Sequence, residues 1–193
     1  MSTTQPIRSK QLLHDFKDYY LTKQPNSRNY TLILIGLNTA LRINDILHLT
    51  WGDVYCTEHS RFYTHLLITE KKTEKETRIL INKELQETLL SYRTTQPSIA
   101  DTDYLFPSPR KTGSPLSRYQ AYRIVRKAAE AVGIEDVIRC HSLRKTFGYH
   151  AWKMGTPPAL LMEIYNHSSF QVTKRYLGIE QDEKDSVYLK IDL

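Results

Sequence analysis

The segment from Ser27 to Leu41 is apolar nearly all the way around a helix. Its large side chains leave no polar stripe of the kind that a surface helix presents to water: Tyr30, Leu32, Ile33, Leu34, Ile35 and Leu37. A helix that is hydrophobic on every side has to be covered by other elements. The segment is shorter than the roughly 18 apolar residues of a membrane span. The sequence therefore predicts a central helix that the rest of the chain surrounds.

Helix signals recur along the rest of the chain. Residues that favour helix N-termini precede several apolar-periodic stretches, and glycines follow three of them. The predicted helices are 9–22 with Ser9 as its cap, 44–49 with Asn44 as its cap, one that begins at Asn82, 117–132, 142–154, 157–166 and 168–177. Two runs rich in β-branched and aromatic residues, 61–69 and 77–81, predict a β-hairpin whose polar loop is 70–76. The predicted fold class is mainly α with a small antiparallel β-hairpin.

Length and composition are those of a globular domain. The chain has 193 residues, of which 40% are hydrophobic and 25% charged, enough for one domain or one domain with a small appendage. The start of the sequence lacks the basic-then-apolar pattern of a signal peptide. Cys56 and Cys140 stand far apart, which argues against a zinc ribbon or a disulfide framework and fits a reducing cytoplasm.

Positive charge is concentrated in the second half of the chain. The formal net charge is +6, which favours a polyanionic partner. The basic residues are Arg118, Arg123, Arg126, Lys127, Arg139, Arg144, Lys145, Lys153, Lys174 and Arg175, whereas acids collect near the C-terminus. A scattered basic surface is equally typical of a solvated face, so charge alone leaves both interpretations open.

His141 and Arg144 form the first candidate site. They are three residues apart near a predicted helix start and so share one face of the helix. A helix N-terminus favours an anion at that position. An isolated pair of this kind is more often an ordinary surface pair, so the motif needs support from the rest of the sequence.

Arg42 is the second candidate. It follows the apolar segment directly, which predicts a buried guanidinium that needs a partner or a ligand. Asp45, three residues later, could orient Arg42 through a charge-assisted hydrogen bond. The alternative is a purely structural ion pair between the two side chains.

Two further candidates are weak when taken singly. His167 precedes Tyr176 by nine positions, but the chain has 13 tyrosines, so a tyrosine near a histidine carries little information. Lys72 lies in the polar loop of the predicted hairpin with Lys71 and Lys75. A charged hairpin loop is ordinarily a device that keeps the protein soluble.

Taken in order, these residues resemble the tyrosine recombinase, or phage integrase, family over about 12–179. Thr39 to Val54 is similar to its first arginine box, T-G-L-R-x-x-E-L-x-x-L-x-W-x-D, with Ala40 at the glycine and Asp45 at the glutamate. The segment 70–81 resembles its lysine hairpin, K-T-x-K-x-x-x-x-I. The ordered set is far more specific than any one motif.

The second half of the chain carries the rest of the resemblance. The segment 141–155 is similar to H-x-L-R-H-T-F-A-x-x-x-x-x-x-G, with Lys145 at the second histidine and Gly148 at the alanine. The segment 165–176 is similar to L-G-H-x-S-x-x-x-T-x-x-Y, with Tyr165 and Asn166 in place of leucine and glycine.

The resemblance implies the catalytic-domain fold of that family and a DNA strand cleavage reaction. It implies Tyr176 as the nucleophile, Arg42 and Arg144 as phosphate ligands and Lys72 as the acid that protonates the leaving 5′ oxygen. It further implies that His141 assists proton transfer and that His167 binds the scissile phosphate. The product would be a 3′-phosphotyrosyl link, formed without ATP, metal or another cofactor.

The resemblance also implies partners and a division of the chain. The partners would be double-stranded DNA recombination sites, further copies of the chain in a tetramer on DNA, and accessory DNA-bending proteins, in a bacterial or phage setting and with no membrane. Residues 1–26 are expected to be a lead-in, 27–179 the catalytic domain and 180–193 a tail. About 26 residues are too few for the N-terminal core-binding domain of the family, which leaves open a minimal integrase or a fragment.

The tail is expected to carry an apolar segment that is too small to bury itself, with Val187, Tyr188, Ile191 and Leu193. It either docks on a neighbouring protomer or folds back on its own domain, where the effective concentration is higher. Three other functions stay open for the whole chain: a type IB topoisomerase-like relaxase, a DNA-binding regulator without catalysis, and a small helical interaction protein.

Overall fold

The protein is mainly helical, and the computed structural model describes residues 4–69, 76–96 and 98–191. The helices are α1 (Lys10–Asp18, continued by a π-helical turn Tyr19–Lys23), α2 (Ser27–Thr39), α3 (Ile43–Leu47), α4 (Trp51–Val54), α5 (Lys83–Thr94), α6 (Arg118–Ala131), α7 (Cys140–Lys153), α8 (Pro158–Tyr165), α9 (Phe170–Leu177) and α10 (Glu180–Tyr188). The strands are β1 (Tyr55–Cys56), β2 (Arg61–Phe62), β3 (His65–Thr69) and β4 (Glu76–Leu80). The predicted fold class is therefore confirmed.

Helix α2 is the centre of the fold, as its sequence predicts. Leu32, Ile33 and Leu34 are fully buried, and the helix packs against both α5 and α7. The helix ends at Thr39, two residues before the predicted end, because Ala40 adopts the left-handed conformation with φ of 54°. Ala40 and Leu41 are still buried, and the chain first becomes exposed at Arg42.

Side-chain caps set the beginnings of three surrounding helices. Ser9, Asn82 and Ser117 each accept a hydrogen bond from the backbone N–H three residues further on, at 3.3, 2.9 and 3.2 Å. These caps satisfy donors that the first turn of a helix leaves unpaired. Gly133 and Gly178 follow α6 and α9 with φ of 73° and 72°, as expected of C-terminal glycines. The predicted caps are thus confirmed for these helices.

The β-structure differs from the prediction in one respect. The run 61–69 is two strands, not one: β2 pairs with β1, and β3 pairs with β4 in an antiparallel hairpin. Between β2 and β3 the backbone N–H of Tyr63 donates to Val54 at 2.9 Å, and Thr64 accepts from Ile81 at 2.9 Å. These two bonds point to different neighbours, so the chain changes partner there and a single strand cannot continue.

The N-terminal lead-in packs on α7. The amide of Ile7 donates to Thr146 at 2.9 Å, and the buried ammonium of Lys145 donates to the carbonyl of Thr4 at 2.7 Å. Arg8 donates to the carbonyl of Gly178 at 3.1 Å. The lead-in therefore joins the start of the chain to α7 and to the end of α9, the helices that carry His141, Arg144 and Tyr176.

The C-terminal helix α10 is held at its first turns and exposed further on. Its carboxylates form ion pairs, Asp182 with Arg8 at 3.6 Å and Glu183 with Lys174 at 3.0 Å. The apolar side chains beyond them lie in solvent: Val187, Tyr188, Leu189 and Ile191. Across the residues that the structure describes, none of the helices has the length and apolar character needed to cross a membrane.

Candidate active site

Arg144 is the most deeply buried of the candidate residues, with only 8% of its surface exposed. It lies in the second turn of α7, and its guanidinium donates hydrogen bonds to the carbonyl of Ala40 and, at 3.3 Å, to that of Tyr165. The same group lies 4.6 Å from the centre of the Tyr165 ring. Burial lowers the pKa of Arg144, but a guanidinium remains charged in a protein. A fixed cation is thus held where α2, α7 and α8 meet.

Arg42 does not have the burial that its sequence context predicts. Its side chain is exposed, and its backbone forms the N-cap of α3, which places the start of that helix before Asn44, the predicted cap. The physical reason is the left-handed turn at Ala40: it ends the apolar helix early, and the chain reaches the surface at Arg42, directly after the buried Leu41. An arginine at such a position can meet a ligand that arrives from solvent.

Asp45 accompanies Arg42. It is half-buried in the first turn of α3 and lines the same cavity as Arg42 and Arg144, a space of about 360 Å³. The cavity is closed on another side by Ile68 and Thr77 of the β3–β4 hairpin. That Asp45 orients the guanidinium of Arg42 stays a prediction.

Tyr176 lies half-buried in α9, beside Arg144. Burial raises the pKa of Tyr176, and the positive charges of Arg144 and Arg42 oppose that rise. Its ring makes an edge contact with His167 at 5.3 Å between centroids. The ammonium of Lys145 lies 5.4 Å from the centre of the Tyr176 ring. The phenol is therefore neutral in the free protein but surrounded by cations that favour the phenolate.

His141 and His167 complete the group. His141 lies in the first turn of α7, and His167 lies between α8 and α9, where its Nδ1 is 3.1 Å from Oγ1 of Thr173. Partial burial lowers the pKa of both imidazoles. The charges of Lys145, Arg144 and Arg42 lower that of His141 further, and those of Arg144 and Arg42 lower that of His167. Both rings are thus kept neutral near pH 7, so each can accept a proton at one nitrogen and donate a hydrogen bond from the other.

The structure brings five of the six candidates together. The charges of Arg144 and Arg42 act on the pKa values of His141, His167 and Tyr176, which requires that the five residues lie near one another. Lys72, with the rest of the loop 70–75, lies outside the described residues, so its position stays a prediction.

Three further contributors were not singled out from the sequence as site residues. The carbonyl of Ala40 is a ligand of Arg144, the ring of Tyr165 contacts Arg144, His167 and Tyr176, and the charge of Lys145 acts on His141. Each stands where the sequence departs from the family pattern, at the glycine, the leucine and the second histidine. These three departures from the family pattern are the sequence signal that could have indicated the residues.

The arrangement is suited to the chemistry of a phosphodiester. Two arginines can stabilise the negative charge that develops on phosphorus, because a guanidinium offers a planar fork to the non-bridging oxygens. A phenol beside them is a nucleophile whose anion those cations favour. The described residues include no cluster of three or more His, Cys, Asp or Glu able to hold a metal ion.

Comparison with known proteins gives a consistent result. Residues 5–183 match the model of the phage integrase family. The chain is 44% identical over 188 residues to the probable integrase/recombinase YoeC of Bacillus subtilis (strain 168), covering 97% of each.

Solved structures share the fold. The crystal structure of XerA recombinase superposes with a TM-score of 0.76 at 20% identity, over 100% of this chain and 66% of that one. XerH site-specific recombinase, bound to its difH substrate in a pre-cleavage complex, gives a TM-score of 0.70 at 21% identity, over 97% of this chain and 53% of that one. The chain thus spans about half to two thirds of the solved recombinases that it matches.

Replacing Lys145 by Met tests the electrostatics of this site. The variant removes a charge that lowers the pKa of His141, so that pKa should rise. The pKa of His167 should stay in place, because Lys145 does not contribute to its shift. Arg42→Met is the matched control and should raise both values. The measurement is an NMR titration of the histidine ring signals; equal movement of both signals in Lys145→Met would contradict the geometry.

Proposed function

The chain belongs to the phage integrase family and is a tyrosine recombinase, and from this premise we propose that it cuts and rejoins double-stranded DNA through Tyr176. The observation that carries the proposal is the convergence of two arginines and the ring of His167 on one half-buried tyrosine. The family supplies the reaction class, and the contacts of these residues support the roles that we assign to them.

The first step is the attack of Tyr176 Oη on a backbone phosphorus of DNA. A free phenol has a pKa of about 10, so forming the phenolate at neutral pH costs about 4 kcal/mol. Arg144 and Arg42 offset this cost, since their charges favour the anion. The same two guanidinium groups bind the non-bridging oxygens and stabilise the pentacoordinate transition state. His141 takes the phenolic proton, and His167 donates a hydrogen bond to the phosphate.

The second half of the step is the departure of the 5′ oxygen. Lys72 donates a proton to it, so that a 5′ hydroxyl leaves and a 3′-phosphotyrosyl bond remains. The phosphodiester bond has been exchanged, not hydrolysed, so a 5′ hydroxyl can attack the phosphotyrosine and restore DNA without ATP.

The partners follow from the reaction. Strand exchange requires two DNA sites and one nucleophile for each of four strands, so we include a tetramer on DNA in the proposal, with accessory DNA-bending proteins as further partners. The bound difH substrate of the similar XerH structure and the excess of basic residues support DNA as the ligand. In this proposal the protein acts on DNA in the cytoplasm of a bacterial cell.

Helix α10 is the element that we propose to link the protomers. Its acidic first half is tied to the parent domain by Arg8 and Lys174, but the apolar side chains after it have no cover from the described residues. Docked on a neighbouring catalytic domain, they would bury that apolar surface and connect successive active sites.

The direct test is covalent capture of DNA. A library of duplexes with a randomised core and a nick beside it serves as the substrate, because the short cleaved strand diffuses away and traps the adduct. A protein–DNA species that resists SDS and is removed by protease would support the proposal; its absence across the library would contradict it. Exchange between two marked duplexes then separates a recombinase from a relaxase.

Tyr176→Phe should abolish the covalent adduct and leave DNA binding nearly intact, because only the attacking oxygen is removed. The measurement is SDS gel electrophoresis of the nicked substrate, with a mobility shift assay for binding. Tyr188→Phe, an exposed tyrosine on α10, is the control and should form the adduct at the normal rate. An adduct in Tyr176→Phe that vanishes in Tyr188→Phe would reassign the nucleophile.

Lys72→Ala should slow the cleavage of ordinary DNA strongly and spare a substrate whose 5′ leaving atom is sulfur. A thiolate departs without a proton, so the general acid becomes dispensable. Lys71→Ala and Lys75→Ala are the controls on the same loop. If the sulfur substrate rescued Lys75→Ala and not Lys72→Ala, Lys75 would be the acid.

Deleting residues 183–193 should leave a folded protein that still forms the tyrosyl adduct but assembles no higher-order complex on paired sites. The reason is that the apolar end of α10 is exposed in the single chain and is needed only between chains. Circular dichroism reports folding, and gel filtration of the DNA complex reports assembly. Unfolding of the truncated chain would show that the tail belongs to its own core, and normal assembly would remove it from the interface.

A further inference from the structure

Tyr165 occupies an unusual place among the candidate residues. It is fully buried at the end of α8, at the position where the family pattern has leucine. Its ring stacks on His167 at 5.4 Å, with 29° between the planes, and lies 5.4 Å from the ring of Tyr176. The Arg144 guanidinium lies 4.6 Å from its centre. One aromatic ring therefore touches three groups that the proposed reaction uses.

The hydroxyl of Tyr165 adds a direct link to α7. It donates a hydrogen bond of 2.6 Å to the carbonyl of Arg144, while Arg144 donates to the carbonyl of Tyr165. The two residues are thus joined in both directions. Burial raises the pKa of Tyr165 far above its usual range, so the hydroxyl is protonated at neutral pH and can donate this bond.

Gly148 is the complement of this tyrosine. A Cβ atom at Gly148 would lie 2.4 Å from the Tyr165 hydroxyl oxygen and 2.6 Å from a methyl carbon of Leu177. Neither contact is possible without movement, because real Cβ atoms do not approach so closely. Gly148 stands where the family pattern has alanine. The Tyr165 hydroxyl therefore occupies space that a side chain at Gly148 would need.

We propose that Tyr165 is a positioning residue: its buried ring is the platform that sets Arg144, His167 and Tyr176 relative to one another, and Gly148 makes room for it. The inference rests on the proposed cleavage reaction, since it concerns how that site is held. Neither residue touches the DNA. Their effect is on the geometry of the groups that do, and a displacement of about 1 Å of such groups can cost about a hundredfold in rate.

The test uses Tyr165→Leu together with Gly148→Ala, which restores the family-like pair. If Tyr165 only fills space, the double variant recovers both thermal stability and cleavage. If its ring positions the site, the double variant recovers stability over Tyr165→Leu alone, yet kcat for adduct formation stays about ten- to a hundredfold below the wild type with KM little changed. Tyr165→Phe, which keeps the ring, should reduce kcat less than Tyr165→Leu does.

Tyr149→Leu is the matched control. Tyr149 is buried in the same apolar cluster, and its ring contacts are with His150, Trp152 and the Arg8 guanidinium. The variant should lose stability and keep kcat within about twofold. A second readout, by NMR, needs no DNA. In Tyr165→Leu and in the double variant, the His167 ring protons should lose the chemical-shift contribution of the stacked Tyr165 ring. The pKa of His167 should also rise, because water enters beside the imidazole.

The outcomes separate the two proposals. A wild type that forms no adduct overturns the proposed function and the positioning role with it. A wild type that forms the adduct, with a double variant of equal kcat, overturns the positioning role alone. An unshifted His167 signal in the double variant would also overturn it, because the stacking would then be absent in solution.

Discussion

The buried guanidinium of Arg144 is the constraint on which the site depends. Removing a charge from water is costly unless hydrogen bonds replace the lost hydration. Here the carbonyls at the ends of α2 and α8 accept from the guanidinium, and the face of Tyr165 lies against it. These contacts require three helix ends to meet at one point. A cation so held has no need to reorganise when negative charge develops beside it, which is the condition for effective electrostatic catalysis.

The N-terminal lead-in satisfies a second buried cation beside Arg144. Lys145 is buried one residue after Arg144, and its ammonium is satisfied by the carbonyl of Thr4. Each of these two neighbouring cations has a backbone carbonyl as a partner in the core, which replaces part of its lost hydration. The lead-in thus serves the electrostatics of the site as well as the packing of α7, and the lowered pKa of His141 reports the presence of both charges.

The sequence predicts the architecture well where local signals are strong. The apolar segment of α2, the caps at Ser9, Asn82 and Ser117 and the closing glycines follow from local chemistry, and the structure confirms them. The burial predicted for Arg42 was wrong, since it assumed that the apolar helix continues. The left-handed turn that ends the helix carries an alanine, and alanine gives no local signal of such a turn. The contacts of Tyr165 join residues of three helices, which no local pattern specifies.

The backbone conformations show what the family pattern conserves at this site. Ala40 and Asn166 have φ of 54° and 52°, and both stand where the pattern has glycine. A left-handed alanine costs about 1 kcal/mol, whereas asparagine adopts this conformation more readily. The cost at Ala40 is tolerable because the turn aims its carbonyl at Arg144, where it is one of two backbone carbonyls that accept hydrogen bonds from the buried guanidinium. It is therefore the direction of the carbonyl, and not the glycine itself, that a functional site of this kind requires at the end of its central helix.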